Sequence, residues 1–283
     1  MRILAEMLSY PFLVRAMLGG VLVSLCAGLL GVSLVLKRYS MIGDGLSHVS
    51  FGALSVAVAV GWAPLAVSLP VVVLAAFFLL RITEQTRIKS DAAIAMISAA
   101  SLAIGILVTS MTTGMTTDVS SYMFGSILAM SRADVTLAVC LSLVVLALFG
   151  LCFHKLFAVT FDENFARATG VNVRFFQTLI AVLTAVPIVL GMQMMGAMLI
   201  SSLIIFPCQT AMRLFKSFVG VTLCSGILSI VCFLLGLVMS YSWSTPAGAS
   251  VVLVNLLAFL LFTLIRAVSL RLGLGRRDGG QAK

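Results

Sequence analysis

Charge is what this chain has least of: Lys, Arg, Asp and Glu make up 10% of its 283 residues, against about 25% in an average soluble domain. With 61% of the residues apolar, that scarcity excludes a soluble globular fold. Histidine occurs twice. The cysteines Cys26, Cys140, Cys152, Cys208, Cys224 and Cys232 all lie in or beside apolar stretches, with no CxxC pair and no regular spacing. They read as small apolar residues, neither a disulfide framework nor a metal cluster. No GxxxxGK[ST] run is present, so this chain binds no ATP through a P-loop. The absence of HExxH and GxSxG argues against an intramembrane protease or hydrolase.

What remains is a series of long apolar windows. A hydrocarbon core about 30 Å thick takes roughly 20 helical residues to cross. Windows near 13–36, 41–61, 64–80, 92–111, 134–154, 175–195, 198–212, 218–240 and 247–266 meet or approach that length; the shortest, 198–212, is the least secure. The fold class is therefore an all-α polytopic membrane protein with eight to nine transmembrane helices. The first window has no small-residue cleavage site and runs into further spans, so it reads as a span and not as a leader. A single transmembrane domain over 1–272 is expected, followed by a Gly-rich basic tail over 273–283 that reads as disordered.

The excess of basic residues, +9 overall, is distributed as a topology signal and does not point to nucleic acid. Fifteen Lys and Arg fall in one set of alternate loops, from Lys37 and Arg38 through Lys155, Arg174 and Arg213 to Lys283; Arg2, Arg15 and Arg132 fall in the other. The positive-inside rule puts the larger set in the cytoplasm, hence the N-terminus outside and the C-terminus inside. On the outer side, the short apolar run 119–130 predicts a surface helix. On the inner side, Phe161, Phe165 and Ala166 among the charges of 160–174 predict an amphipathic helix presenting one face to a protein or a membrane surface.

Asp44 heads the second window, four residues before His48, among Gly43, Gly45, Ser47, Ser50 and Gly52. Positions i and i+4 share a helix face. Ionisable groups entering a membrane cost several kcal/mol unless they face a cavity, a partner or an ion. One oxygen and one nitrogen donor suit Zn, Mn or Fe(II), and two donors leave a weak, open site suited to a conduit. The alternative is a hydrogen-bonded pair that fixes helix packing. His154, beside Lys155, reads as an interfacial polar residue, and Gln209 and Asn255 as interhelical hydrogen bonds. Gly20, Ser24 and Gly28 recur at four-residue spacing, which lets a neighbouring helix approach closely. Met115, Met192, Met194 and Met195 read as filler.

The stretch Met41-Ile-Gly-Asp-Gly-Leu-Ser-His-Val-Ser-Phe-Gly resembles the span-two signature of the membrane permeases of bacterial metal-ion ABC importers, which take up zinc, manganese or iron with an extracytoplasmic metal-binding protein. Asp118-Val-Ser-Ser-Tyr-Met-Phe-Gly-Ser-Ile-Leu-Ala is similar to that family's outer-side helix. Phe161-Asp-Glu-Asn-Phe-Ala-Arg-Ala-Thr-Gly-Val resembles its coupling segment, and Gly196-Ala-Met-Leu-Ile-Ser-Ser-Leu-Ile-Ile-Phe-Pro and Ser244-Thr-Pro-Ala-Gly-Ala-Ser-Val-Val complete the set. The resemblance implies that Asp44 and His48 bind the metal in transit and that Asp118, Tyr122 and Phe124 belong to an outer gate. It also implies that Phe161, Asp162, Glu163, Phe165, Arg167 and Gly170 couple to a separate ATPase. Further implications are a second permease copy, a bacterial inner membrane as the setting, and no permanently bound cofactor, the metal being cargo. His48-Val-Ser-Phe-Gly resembles the zinc members more than the His-Ala-Val-Leu-Pro-Gly of many manganese or iron members, so zinc is the expected cargo, with manganese or iron as alternatives. Cys208 stands after Pro207 where a small residue is usual. A helix-packing scaffold and a proton-coupled secondary transporter are the competing readings, though the latter has no role for the 160–174 loop.

Overall fold

The computed structural model describes residues 9–85, 90–113 and 132–271. Among these there are ten helices and no strand. They are α1 (Pro11–Leu36), α2 (Ile42–Val60), α3 (Pro64–Gln85), α4 (Ser90–Thr113), α5 (Arg132–Phe161), α6 (Glu163–Ala168), α7 (Val173–Met195), α8 (Ala197–Leu214), α9 (Phe218–Trp243) and α10 (Ala247–Arg271). Every predicted span has a helix. Eight are long and apolar enough to cross a membrane, and the 18-residue α8 is among them. The short one is α3, whose described apolar part is Pro64–Leu79. The expected outer-side helix and the basic tail lie outside the described residues, as do Asp118, Tyr122 and Phe124.

Local chemistry sets the helix boundaries. Pro11 sits in the first turn of α1, where its missing N–H costs nothing. Gly61, at φ 77°, closes α2 in the left-handed region. Asn172 accepts from the Phe175 N–H at 3.2 Å to cap α7, and Ser217 accepts from the Gly220 N–H at 3.2 Å to cap α9.

The central pillars are α1 and α7. Helix α1 packs against α5, α7, α8 and α9, while α7 packs against α1, α2, α3, α5 and α8. Small residues make these approaches possible. A Cβ on Gly28 would stand 2.7 Å from the Ser229 Cβ, so α9 lies directly on the Gly20/Ser24/Gly28 stripe. Two hydroxyls of α9 bond to α1 carbonyls there, Ser225 to Gly28 at 2.7 Å and Ser229 to Ser24 at 2.5 Å. The stripe is thus a packing face, as read. Helices α4, α5 and α10 lie at the rim, with most of their apolar surface facing outward, as a lipid-facing helix requires.

Helices α7 and α8 form a hairpin whose tip, Gly196, has φ 90° and ψ 162°, a conformation essentially reserved for glycine. The tip is buried inside the bundle. Met194 and Met195 press on Gly19 and Gly20 of α1, and Met192 and Ala197 cluster with Phe51 of α2. These three methionines fill space, as expected; Met115 lies outside the described residues. The hairpin returns α8 along α2, where Ile204 meets Gly43.

Candidate functional site

The site is built on the first two turns of α2. Asp44 lies in the first turn, where a carboxylate complements the free N–H groups and the positive end of the helix dipole. Gly45 takes the Ile94 side chain of α4, its Cβ position being 2.6 Å from Ile94 Cγ2. Gly43, two residues or about 200° away, faces α8, its Cβ position 2.8 Å from Ile204 Cδ1. The segment is thus gripped on opposite sides, which leaves Asp44 and His48 to share a third face. Ser47 turns back to donate to the Asp44 carbonyl at 2.7 Å.

His48 Nε2 stands 3.7 Å from Asp44 Oδ2, with side-chain exposures of 16% and 43% respectively. That gap is too long for a direct hydrogen bond, so the packing-pair reading lacks the bond it requires. Two donors each about 2.0–2.2 Å from a tetrahedral cation lie roughly 3.4 Å apart, close to the observed separation. Among the described residues there is no group of three or more His, Cys, Asp or Glu side chains. The third polar group at the pair is Ser201 of α8, whose Oγ approaches Asp44 Oδ1 at 3.5 Å and the Ala197 carbonyl at 3.2 Å. Sequence reasoning missed Ser201. The signal was a serine pair inside the apolar run 197–207, which spacing alone did not tie to Asp44, 157 residues away.

The segment expected to couple to an ATPase, 161–170, divides its residues between two faces. Asp162 caps α6, its Oδ1 accepting from the Asn164 and Phe165 N–H groups at 2.9 and 3.0 Å. Gly170, at φ 81°, ends the segment in the left-handed region. Ala166 is fully buried, whereas Phe165 is 61% exposed and Arg167 is exposed with it. Glu163, its side chain 43% exposed, accepts from Lys37 Nζ at 3.0 Å and Gln177 Nε2 at 2.9 Å. Phe161 is exposed to the same degree as Phe165, but its ring rests on Phe157 and Phe218, with centroids 5.1 and 6.1 Å apart. The amphipathic helix is present, and its outward apolar knob is Phe165.

His154 is exposed near the end of α5, with the Lys155 ammonium 5.6 Å from the Phe176 ring centroid. Asn255 corrects the sequence reading: its amide nitrogen donates to the Val251 carbonyl of its own helix at 2.9 Å. A buried amide finds its nearest acceptor one turn back, so it makes no bond to a neighbouring helix. All six cysteines are free.

An all-helical bundle of this kind, with an acid/imidazole pair heading its second helix and a short capped helix between its fifth and seventh, defines a membrane permease subunit of the metal-ion ABC type. The chain belongs to the ABC 3 transport family, which it matches over residues 9–266. It is 30% identical over 252 residues to the manganese import system permease protein ScaB of Streptococcus gordonii, covering 89% of this chain and 90% of that one. It is 26% identical to the manganese transport system membrane protein MntC of Listeria monocytogenes over 92% of this chain and 93% of that one. The fold superimposes on a chain of PsaBC from Streptococcus pneumoniae, solved with a Fab, with a TM-score of 0.82, 29% identity and coverage of 92% and 94%.

Proposed function

We propose that the chain is the membrane subunit of an importer that carries a divalent transition-metal ion across the cytoplasmic membrane of a bacterium. In this reading the N-terminus is outside, the C-terminus inside, and two identical copies enclose the path. The observation that carries it is the Asp44–His48 pair, 3.7 Å apart and partly exposed at the head of α2. One oxygen and one nitrogen, with Ser201 beside them, give a cation a site that is polar enough to enter and sparse enough to leave. An extracytoplasmic protein delivers the ion, and ATP hydrolysis on a separate chain drives it through α6, where Phe165 offers the exposed contact.

The cargo has two supported readings. The names of the relatives ScaB and MntC favour manganese, whereas the run His48-Val-Ser-Phe-Gly resembles zinc members. Uptake of radiolabelled zinc and manganese in cells carrying the chain with its cognate ATPase and binding protein decides between them. His48→Ala is expected to abolish uptake of the metal that the wild type carries, with the assembled complex recovered in equal amount. Wild-type uptake by such a complex refutes the transit site.

A further inference from the structure

The exposed side of α6 accounts for contact with an ATPase, but not for how movement of a six-residue helix reaches a site on α2. Glu163 supplies a connection. One of its oxygens, Oε1, accepts from both Lys37 Nζ at 3.0 Å and Gln177 Nε2 at 2.9 Å. Lys37 caps the end of α1 and Gln177 lies in the second turn of α7. A single carboxylate on α6 thus holds both central helices. The Lys37 side chain is only 9% exposed, so its charge is withdrawn from solvent and paired, unlike that of a typical surface lysine.

Each helix leads to the same place. From Lys37 the chain turns tightly: Arg38 has φ 63°, the Tyr39 N–H donates to the Leu34 carbonyl at 2.8 Å, and the Ile42 N–H donates to the Tyr39 carbonyl at 3.0 Å. A hydrogen-bonded turn of this kind transmits displacement, and Asp44 stands seven residues after Lys37. From Gln177, α7 runs to the Gly196 tip and back into α8, where Ser201 meets Asp44. The two routes that leave Glu163 converge on one residue, the first through its backbone and the second at its carboxylate.

We propose that Glu163 is a positioning residue that ties α6 to the α1–α2 turn and to α7, so that movement of α6 is delivered to Asp44. This rests on the reading of the chain as an ATPase-driven permease and gives Glu163 its part in coupling inside the subunit. A local staple that merely held α6 in place would alter assembly and leave the ratio of transport to hydrolysis alone.

The test uses the full chain assembled with its ATPase and binding protein in proteoliposomes, with metal transported per ATP hydrolysed as the readout. Zinc and manganese are the probes. Glu163→Gln, which keeps the shape and loses the charge, is expected to lower that ratio at least tenfold per assembled complex. The double variant Glu163→Lys with Lys37→Glu restores the ion pair and is expected to recover most of it. A ratio unchanged in Glu163→Gln, or unrecovered in an assembled double variant, overturns the proposal.

Hydrogen exchange gives a second readout independent of cargo. ATP addition is expected to change exchange in both 163–168 and 37–48 of the wild type, and in 163–168 alone of Glu163→Gln. A 37–48 segment that still responds in the variant also overturns the proposal. If the wild type transports neither zinc nor manganese, the cargo reading fails, while the exchange experiment still decides whether Glu163 makes the link.

Discussion

The tight seat of α2 makes Gly52→Ala an informative substitution. Gly52 lies one turn beyond His48, and a Cβ there would stand 2.7 Å from the Ser101 carbonyl oxygen of α4, where ordinary contact begins at 3.4 Å. The obstacle is backbone, so rotamer changes cannot relieve it. Helix α2 must withdraw by the difference, about 0.7 Å, on the scale of one methyl group forced into a packed interior. Withdrawal drives the opposite side of the helix, where Gly43 already meets Ile204, towards α8. Overpacking of this kind costs about 1–3 kcal/mol, or roughly a 5- to 140-fold change in the folding equilibrium. Gly150→Ala is the control, because no heavy atom lies within 4 Å of a Cβ at that mid-helix position of α5; there the change is expected to be neutral or to stabilise by up to about 1 kcal/mol. Equilibrium unfolding in mixed micelles of a mild detergent and dodecyl sulfate, followed by circular dichroism, measures both. Equal stabilities of Gly52→Ala and Gly150→Ala refute the close crossing of α2 and α4.

Two further outcomes are expected. Phe165→Ala reduces copurification of the ATPase by about 2 kcal/mol or more, as loss of an exposed aromatic anchor does, and Phe161→Ala reduces it less because that ring leans on Phe157 and Phe218; pull-down titrations of the two variants compare them. Ser201→Ala removes one weak hydroxyl contact to Asp44, worth about 0.5–1 kcal/mol or two- to fivefold in uptake, against the complete loss expected of His48→Ala; initial-rate uptake distinguishes the two.

Most of the helical architecture was legible because length and hydropathy alone decide which segments cross a bilayer. The shortest window, 198–212, proved a full 18-residue helix because the chain can reverse at Gly196 inside the bundle. The pairing of Asp44 with His48 on one face was legible from the helical period. What the sequence hid was which distant segments share a neighbourhood. Ser201 is tied to Asp44 by the return of α8 along α2, and Glu163 to Lys37 by the arrangement of α1 and α5, and neither follows from local spacing. Asn255 misled for the opposite reason: a polar residue in an apolar run announces that it needs a partner but not where the partner lies, and its own helix supplied one.

The pairing of Lys37 with Glu163 also bears on how the chain is made. The two residues are 126 positions apart, and at about 5–20 residues per second the ribosome takes roughly 6–25 s to bridge that distance. In the orientation proposed above, Lys37 stands throughout that interval just behind the first apolar segment, where a cation helps to retain that end of α1 in the cytoplasm. Once Glu163 has been synthesised, the same ammonium becomes an internal tether. In that proposed orientation one side chain serves first as an orientation signal during insertion and then as a part of the finished molecule, and Lys37→Gln is expected to impair both in sequence: insertion of α1 first, and afterwards attachment of α6 in the chains that inserted correctly.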